Sequence, residues 1–472
     1  MVGVALIVAY YAAWSIYART YFVSDIQGNK LTHINYAFAN IGFDGRIALG
    51  DPWADVEKTF AGDTWNQPLR GNFNQLLKLK QKYPHLRTSI SIGGWTWSGK
   101  FSDIAVNTES RSKFIQSCIE FIRKYGFDGI DVDWEYPVSG GLPANIRRPE
   151  DKQNYLFLLK ELRNQLDVAG KVDRKNYLLT IAAGASPERI IDMDLRNMST
   201  YLDWINVMTY DFHGGWETKT GHNAPLFKNN AETTTDVPPS FMKSKYNSHE
   251  AIQSYITAGI PRSQLVMGLS LYGRGWQGVN STYLNGFSQP ASAELPIGTW
   301  ENGVFDYDHL KRSYLPTYTR HWDSESKVPF LYNPTTGIWI SYDDSQSITI
   351  KSDYIKREKL AGAMFWELST NHNYELIDIT FRILNNNNIT QSLESNPTTT
   401  SIPSIAATNS ISTVRLASTK PFSNKSPVWK KYKNYKIGDR VSYANKIYQC
   451  ILAHKSLPYW TPFAIPALWQ LL

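Results

Sequence analysis

Three carboxylates crowded into one short stretch are the residues best suited to do chemistry: Asp131, Asp133 and Glu135, in the segment FDGIDVDWEYP at 127–137. A strand turns successive side chains to opposite faces, so these three point one way and Val132 and Trp134 the other. Spaced roughly 6.5–7 Å apart along the strand, they oppose one another's ionisation, and at least one should keep a proton near neutrality. A carboxylic acid held protonated at an open strand end is what general acid catalysis requires. Glu135 is outermost and has the longer reach, which makes it the candidate donor. A solvated acidic face does not fit, because Phe127, Ile130, Val132 and Trp134 demand burial. A Ca²⁺ or Mg²⁺ site lacks the loop oxygens it would need, so no metal and no cofactor are expected.

Something must position that strand. Eight short apolar runs recur at 5–11, 32–39, 88–92, 129–134, 178–183, 204–209, 264–271 and 362–367. Between several of them lie amphipathic helical patterns, at 72–82, 112–125 and 151–168. Strands alternating with helices indicate a parallel sheet, and eight repeats favour a closed (β/α)8 TIM barrel. In that fold reactive groups gather where the strands end, which is where Glu135 falls. About 85 residues separate Gly275 from Gly362, too many for a plain connection. They predict a small α+β insertion at about 277–360. The expected catalytic domain spans 1–384.

From 385 to 427 the chain turns to Asn, Ser, Thr and Pro, and reads as a disordered linker. From 428 to 472 Trp, Tyr and alternating apolar residues return, predicting a small all-β module near the lower size limit for independent folding. The net charge of +7 belongs to this tail: beyond residue 386 there are 10 Lys and Arg against 2 Asp and Glu. The first 386 residues are nearly neutral, which excludes a nucleic-acid surface. No apolar run is long enough to span a membrane, and the opening VGVALIVAYY reads as the first barrel strand. Any secretion signal lies outside this sequence. Cys118, in a helical apolar pattern, reads as a buried thiol.

The acidic segment with its D-x-x-D-x-D-x-E spacing (Asp128, Asp131, Asp133, Glu135) resembles the signature of glycoside hydrolase family 18, the chitinases. Further likenesses are SISIGGW at 89–95, MTYDFHG at 208–214, GLSLYGRG at 268–275 and GAMFWE at 362–367. The resemblance covers about residues 2–384 and implies the subfamily with a deep cleft. It implies a retaining mechanism without a protein nucleophile, in which the substrate's N-acetyl carbonyl attacks the anomeric carbon. On that basis Glu135 is the acid, Asp133 orients the acetamido group, Asp131 shares a proton with Asp133, and Tyr210 donates to the acetamido oxygen. Trp366 forms the floor, with Met208, Asp211, Arg274 and one of Tyr10 or Tyr11 completing the pocket, and Ser91 supports the inner aspartate. Tyr10 and Tyr11 face opposite sides, and Tyr10 is favoured. Met208 and Ser91 also fit a purely core role. Trp97 and Trp216, in loops after strands, are expected to stack on sugars, whereas Trp276 and Trp300 fit either the core or the cleft.

The C-terminal segment resembles the chitin-binding module of carbohydrate-binding family 5/12, through Trp429, YKIGDRV at 435–441, YQC at 448–450, HKS at 454–456, Trp460, Pro462 and PALW at 466–469. The resemblance implies that Trp460, beside Pro462, lies flat on crystalline chitin, while Trp429 and Trp469 form the core. The expected partners are chitin and chito-oligosaccharides, with no nucleic acid and no membrane, for a secreted, extracellular monomer. Two other readings are a catalytically weak chitin lectin and an endo-β-N-acetylglucosaminidase on N-glycans. Retention of Glu135, Asp133 and Tyr210 opposes the first, and the binding module the second.

Overall fold

A computed structural model describes residues 5–64, 66–232 and 244–385, together with 427–428, 430, 433–436, 438–443, 446–450, 454–455 and 469–471. Two compact units divide the chain, Met1–Glu394 and Ser395–Leu472.

The larger unit is built on eight parallel strands: Leu6–Ala12, His33–Ile41, Arg87–Gly93, Gly129–Asp133, Leu178–Gly184, Trp204–Met208, Leu265–Ser270 and Gly362–Trp366. Each pairs with the next, and the first also pairs with the eighth, so the sheet closes on itself. This is the (β/α)8 barrel expected from the eight apolar runs. Those runs lack alternation because both faces are covered, one by helices and one by the barrel interior. Parity along the first strand sorts the faces: Ile7, Ala9 and Tyr11 join the outer core, while Val8 and Tyr10 join the inner cluster.

The helices pack the outer face. Thr108–Tyr125 starts at Asn107, whose side chain accepts the Ser110 N–H, and stops at Gly126 with φ 75°, a left-handed turn that suits glycine. Between them Phe114, Ile115, Cys118 and Ile122 form a buried stripe, with Cys118 a fully covered free thiol. The long helix Asp151–Asp173 continues five residues past the predicted end at 168. Trp134 points into this layer, stacking on Phe101 at 5.3 Å and meeting Tyr155 edge-on.

The insertion carries a five-stranded antiparallel sheet, in the order Val304–Asp306, Tyr272–Trp276, Ile338–Ser341, Val328–Asn333 and Thr319–Asp323. It begins five residues before the predicted 277. The reason is continuity: the seventh barrel strand runs through Leu271 straight into Tyr272–Trp276. The predicted end at 360 is also too late, because Ser345–Arg357 is a helix leading into the eighth barrel strand. The insertion has its own core of Trp276, Val279, Phe287, Phe330, Tyr332 and Trp339. Trp276 is completely buried there, which assigns it to packing.

In the second unit, Arg440–Tyr443, Lys446–Cys450 and Trp469–Leu471 form a three-stranded antiparallel sheet, and Asn434–Tyr435 pairs with His454–Lys455. Tyr435, Val441, Tyr448 and Cys450 are buried. The predicted linker at 385–427 lies almost wholly outside the described residues, as do Trp429, Trp460 and Pro462. Among the described residues, no helix is long and apolar enough to cross a membrane.

Candidate active site

The third strand ends beside the fourth with Ser91 opposite Asp131 and Gly93 opposite Asp133. That register brings the acidic face of the fourth strand into the barrel interior. Asp131 is fully buried and takes four hydrogen bonds: Tyr10 Oη at 2.7 Å and Ser91 Oγ at 2.8 Å donate to Oδ2, and Thr180 Oγ1 at 2.6 Å and Asn206 Nδ2 at 3.2 Å donate to Oδ1. Burial raises its pKa, and the four donors work against that rise. Tyr10 rather than Tyr11 reaches the interior, since Tyr11 turns out to the Tyr21 carbonyl. Thr180 and Asn206 are partners that the sequence reading missed.

Asp133 sits one step higher and is 3% exposed. Its Oδ1 is buried and has no hydrogen-bond partner in the chain. No hydrogen bond joins it to Asp131, whose oxygens are occupied by the four donors above. Burial, then the neighbouring Glu135 and Asp131 charges, push Asp133 well above the usual carboxylate range. Glu135 stands just past the last strand residue, partly reachable from the cleft. Loss of hydration pushes its pKa up from 4.5 to about 7, helped by the Asp211 charge and opposed by a hydrogen bond from Tyr136.

These groups line a cleft of about 940 Å³, into which Trp366, Tyr210 and Met208 also project. Trp366 lies 5.7 Å from Phe38 in a stacked arrangement and 5.3 Å from Tyr10, so its ring is wedged in place. Tyr210 is buried, with its hydroxyl 3.6 Å from Met364 Sδ, and burial raises its pKa well above the ordinary value. Its hydroxyl therefore stays protonated as a donor. Met208 is partly buried at the wall.

Asp211 has a left-handed backbone, φ 57°, and is gripped by Arg274 through two hydrogen bonds of 2.7 and 2.8 Å and by the Tyr272 hydroxyl. Asn223 accepts the Asp211 N–H at 3.0 Å. Arg274 in turn lies 4.9 Å from the Trp216 ring centroid, a cation–π contact that orients the indole. Trp216 is 58% exposed. Trp97 also lines the cleft, but it is half-buried against the inner cluster. Its neighbour Trp95, 50% exposed and also in the cleft, presents more ring face. Trp300 is half-exposed on the insertion, its Nε1 donating to Asp306 while Arg19 lies 5.2 Å from its ring centroid. Tyr136, next to Glu135 in the acidic segment, also lines the cleft, and Trp14, Arg189 and Glu301 are further cleft residues without a motif to announce them. Among the described residues, no group of three or more His, Cys, Asp or Glu is arranged to hold a metal ion.

Residues 6–371 match the model of Glycosyl hydrolases family 18, and residues 428–470 match Carbohydrate-binding module family 5/12. Chitinase A1 of Niallia circulans is 47% identical over 402 residues, covering 78% of this chain and 57% of its own length. Chitinase 1 of Aphanocladium album is 35% identical over 365 residues, covering 76% of this chain and 80% of its own length. Among solved structures, chitinase ChiA74 from Bacillus thuringiensis superposes with a TM-score of 0.76 at 41% identity, over 81% of this chain and 70% of that one. The chain thus spans little more than half the length of one such relative and most of another.

Proposed function

The chain belongs to glycosyl hydrolase family 18, and on that premise we propose that it is a secreted chitinase, cutting β-1,4 bonds between N-acetylglucosamine units with retention at the anomeric carbon. The observation that carries the reading is the row of three carboxylates rising to the barrel mouth, Asp131 and Asp133 buried and Glu135 reachable from the cleft, with the pKa values of Asp133 and Glu135 both raised. Glu135 gives its proton to the leaving oxygen as the glycosidic bond breaks. The substrate's acetamido carbonyl, not a protein group, bonds to the anomeric carbon on the opposite face. Asp133 is suited to take the acetamido N–H on its unpartnered Oδ1 and to face the positive charge that develops there. Tyr210 supplies a hydroxyl donor to the acetamido oxygen. Asp131, locked by four donors, fixes the height of Asp133 below the sugar. Water then opens the ring, and Glu135, now ionised, takes its proton.

Trp366 is the floor under the reacting sugar, and Trp216, Trp95 and Trp97 are walls for its neighbours. A polar but nearly uncharged polymer is well held by such flat apolar faces. The C-terminal module, by its family, holds the enzyme on solid chitin, with Trp460 as the contacting ring. An insoluble polymer outside the cell as substrate supports secretion.

The test is Glu135→Gln on chitohexaose with the anomeric form of the first product resolved by NMR. The parent should release the β-anomer, and the variant should lose about 10²-fold or more in turnover while still binding chitin. Initial α-anomer from the parent, or a variant with more than about a tenth of parental turnover, would rule the reading out.

A further inference from the structure

The general acid lies where the barrel no longer supports it. On one side the fourth strand pairs with the third only as far as Gly93 opposite Asp133, and on the other with the fifth only as far as Val132 opposite Ile181. The N–H and C=O of Glu135 are therefore beyond the last ladder bond, and buried peptide groups require partners. Both find them on side chains from outside the barrel. The Glu135 N–H donates to Ser98 Oγ at 2.8 Å. That hydroxyl lies 2.8 Å from the Gly94 carbonyl and 3.1 Å from the Asp133 carbonyl, so it spans the peptides of both carboxylates. The Glu135 carbonyl accepts from Asn145 Nδ2 at 3.1 Å.

The two side chains come from different loops that are tied to each other, the Ile146 N–H reaching the Gly99 carbonyl at 3.4 Å. Gly141 closes the sleeve: it has φ 70°, and a Cβ there would lie 2.2 Å from the Glu135 carbonyl oxygen. Ser98 is fully buried, Asn145 is 9% exposed, and neither lines the cleft. They do not touch substrate, yet they bracket the peptide from which the acid side chain projects.

We propose that Ser98 and Asn145 are positioning residues for the general acid, holding the Glu135 backbone so that its carboxyl meets the leaving oxygen. The proposal rests on the reading of Glu135 as that acid. The misplacement of a reacting group by 1 Å costs up to about 10²-fold in rate, and a glutamate swings on three side-chain bonds from whatever height its backbone is held.

Leaving-group dependence separates aim from general stability. Chitohexaose loses a sugar alcohol, which must be protonated as it departs, whereas 2,4-dinitrophenyl chitobioside loses a phenolate stable without a proton. Ser98→Ala, Asn145→Ala and Glu135→Gln are compared with the parent on both. For Ser98→Ala, kcat/KM on chitohexaose should fall by about 10-fold or more, with KM within about twofold. On the dinitrophenyl substrate kcat/KM should fall by less than about threefold. Equal losses on the two substrates, or none on chitohexaose, overturn the proposal. Asn145→Ala removes a single side-chain hydrogen bond, to the Glu135 carbonyl, and the same two outcomes decide the matter if Ser98→Ala does not fold. Glu135→Gln distinguishes the levels: if it lacks the selective pattern, the reading of Glu135 fails, and if it alone has the pattern, only the positioning claim fails.

Discussion

Replacing Glu135 by Gln should stabilise the protein at pH 8 and leave its stability nearly unchanged at pH 4. The folded state raises the Glu135 pKa from 4.5 to about 7. Between those values the folded chain keeps a proton that the unfolded chain releases, so unfolding is increasingly favoured as pH rises through the window. Each pH unit is about 1.4 kcal/mol, which gives an upper limit of about 3.4 kcal/mol for the full rise. Two features reduce it. Water reaches Glu135 along the cleft and screens its charge. Glu135 and Asp133 also titrate as a pair, and removing one charge eases ionisation of the other. About half the limit, roughly 1.5–2 kcal/mol, is the expected gain. Glutamine has nearly the shape of protonated glutamate and carries no ionisable proton, so its stability lacks this slope. Thermal melts of parent and variant from pH 4 to 8 measure the difference, which should grow from about pH 4.5 and level off above about pH 7. A constant difference across the range, or a variant less stable at pH 8, refutes the reasoning. The confirmed pattern would mean that the acid is kept protonated at a standing cost to the fold.

The same rise sets the rate profile: kcat/KM on chitohexaose should be full below pH 6 and fall about tenfold per pH unit well above the Glu135 pKa of about 7, read from initial rates. Removal of residues 385–472 should leave hydrolysis of soluble chitohexaose within about twofold of parent while activity on insoluble chitin falls, because a tethered second site raises local concentration. Trp460→Ala should reproduce much of that selective loss, and equal damage on the soluble hexamer would tie the module to the cleft instead.

Much of the barrel was legible because its strands are apolar on both faces and bounded by polar turns. Alternation alone placed Asp131 with Asp133 and required that only one of Tyr10 and Tyr11 turn inward, since a strand leaves only two directions. It failed where the strand stops. Gly94–Trp97 is helical, so residues two apart point in different directions, and Trp95 rather than Trp97 shows the wider face. Thr180 and Asn206 left a usable trace: each is a lone polar side chain inside an apolar strand, a combination that calls for a buried partner. Ser98 and Asn145 left none, because small polar residues in loops are ordinary, and only their meeting at the Glu135 peptide distinguishes them. Glu301 reaches the cleft from the insertion, through folding that no local pattern encodes.

The passage of the seventh barrel strand into the insertion through Leu271 alone has a consequence for anyone building chimaeras. The obvious cut falls where the barrel strand ends, at Ser270, yet a cassette exchanged there would carry Tyr272 and Arg274 away with it, and with them the grip on Asp211 and the orientation of Trp216. A graft that starts after Trp276 keeps that grip in the recipient. Exposed positions between 277 and 303 can then be varied to reshape one bank of the cleft, provided Val279 and Phe287 stay to fill the insertion's core, while the reacting residues remain with their own scaffold.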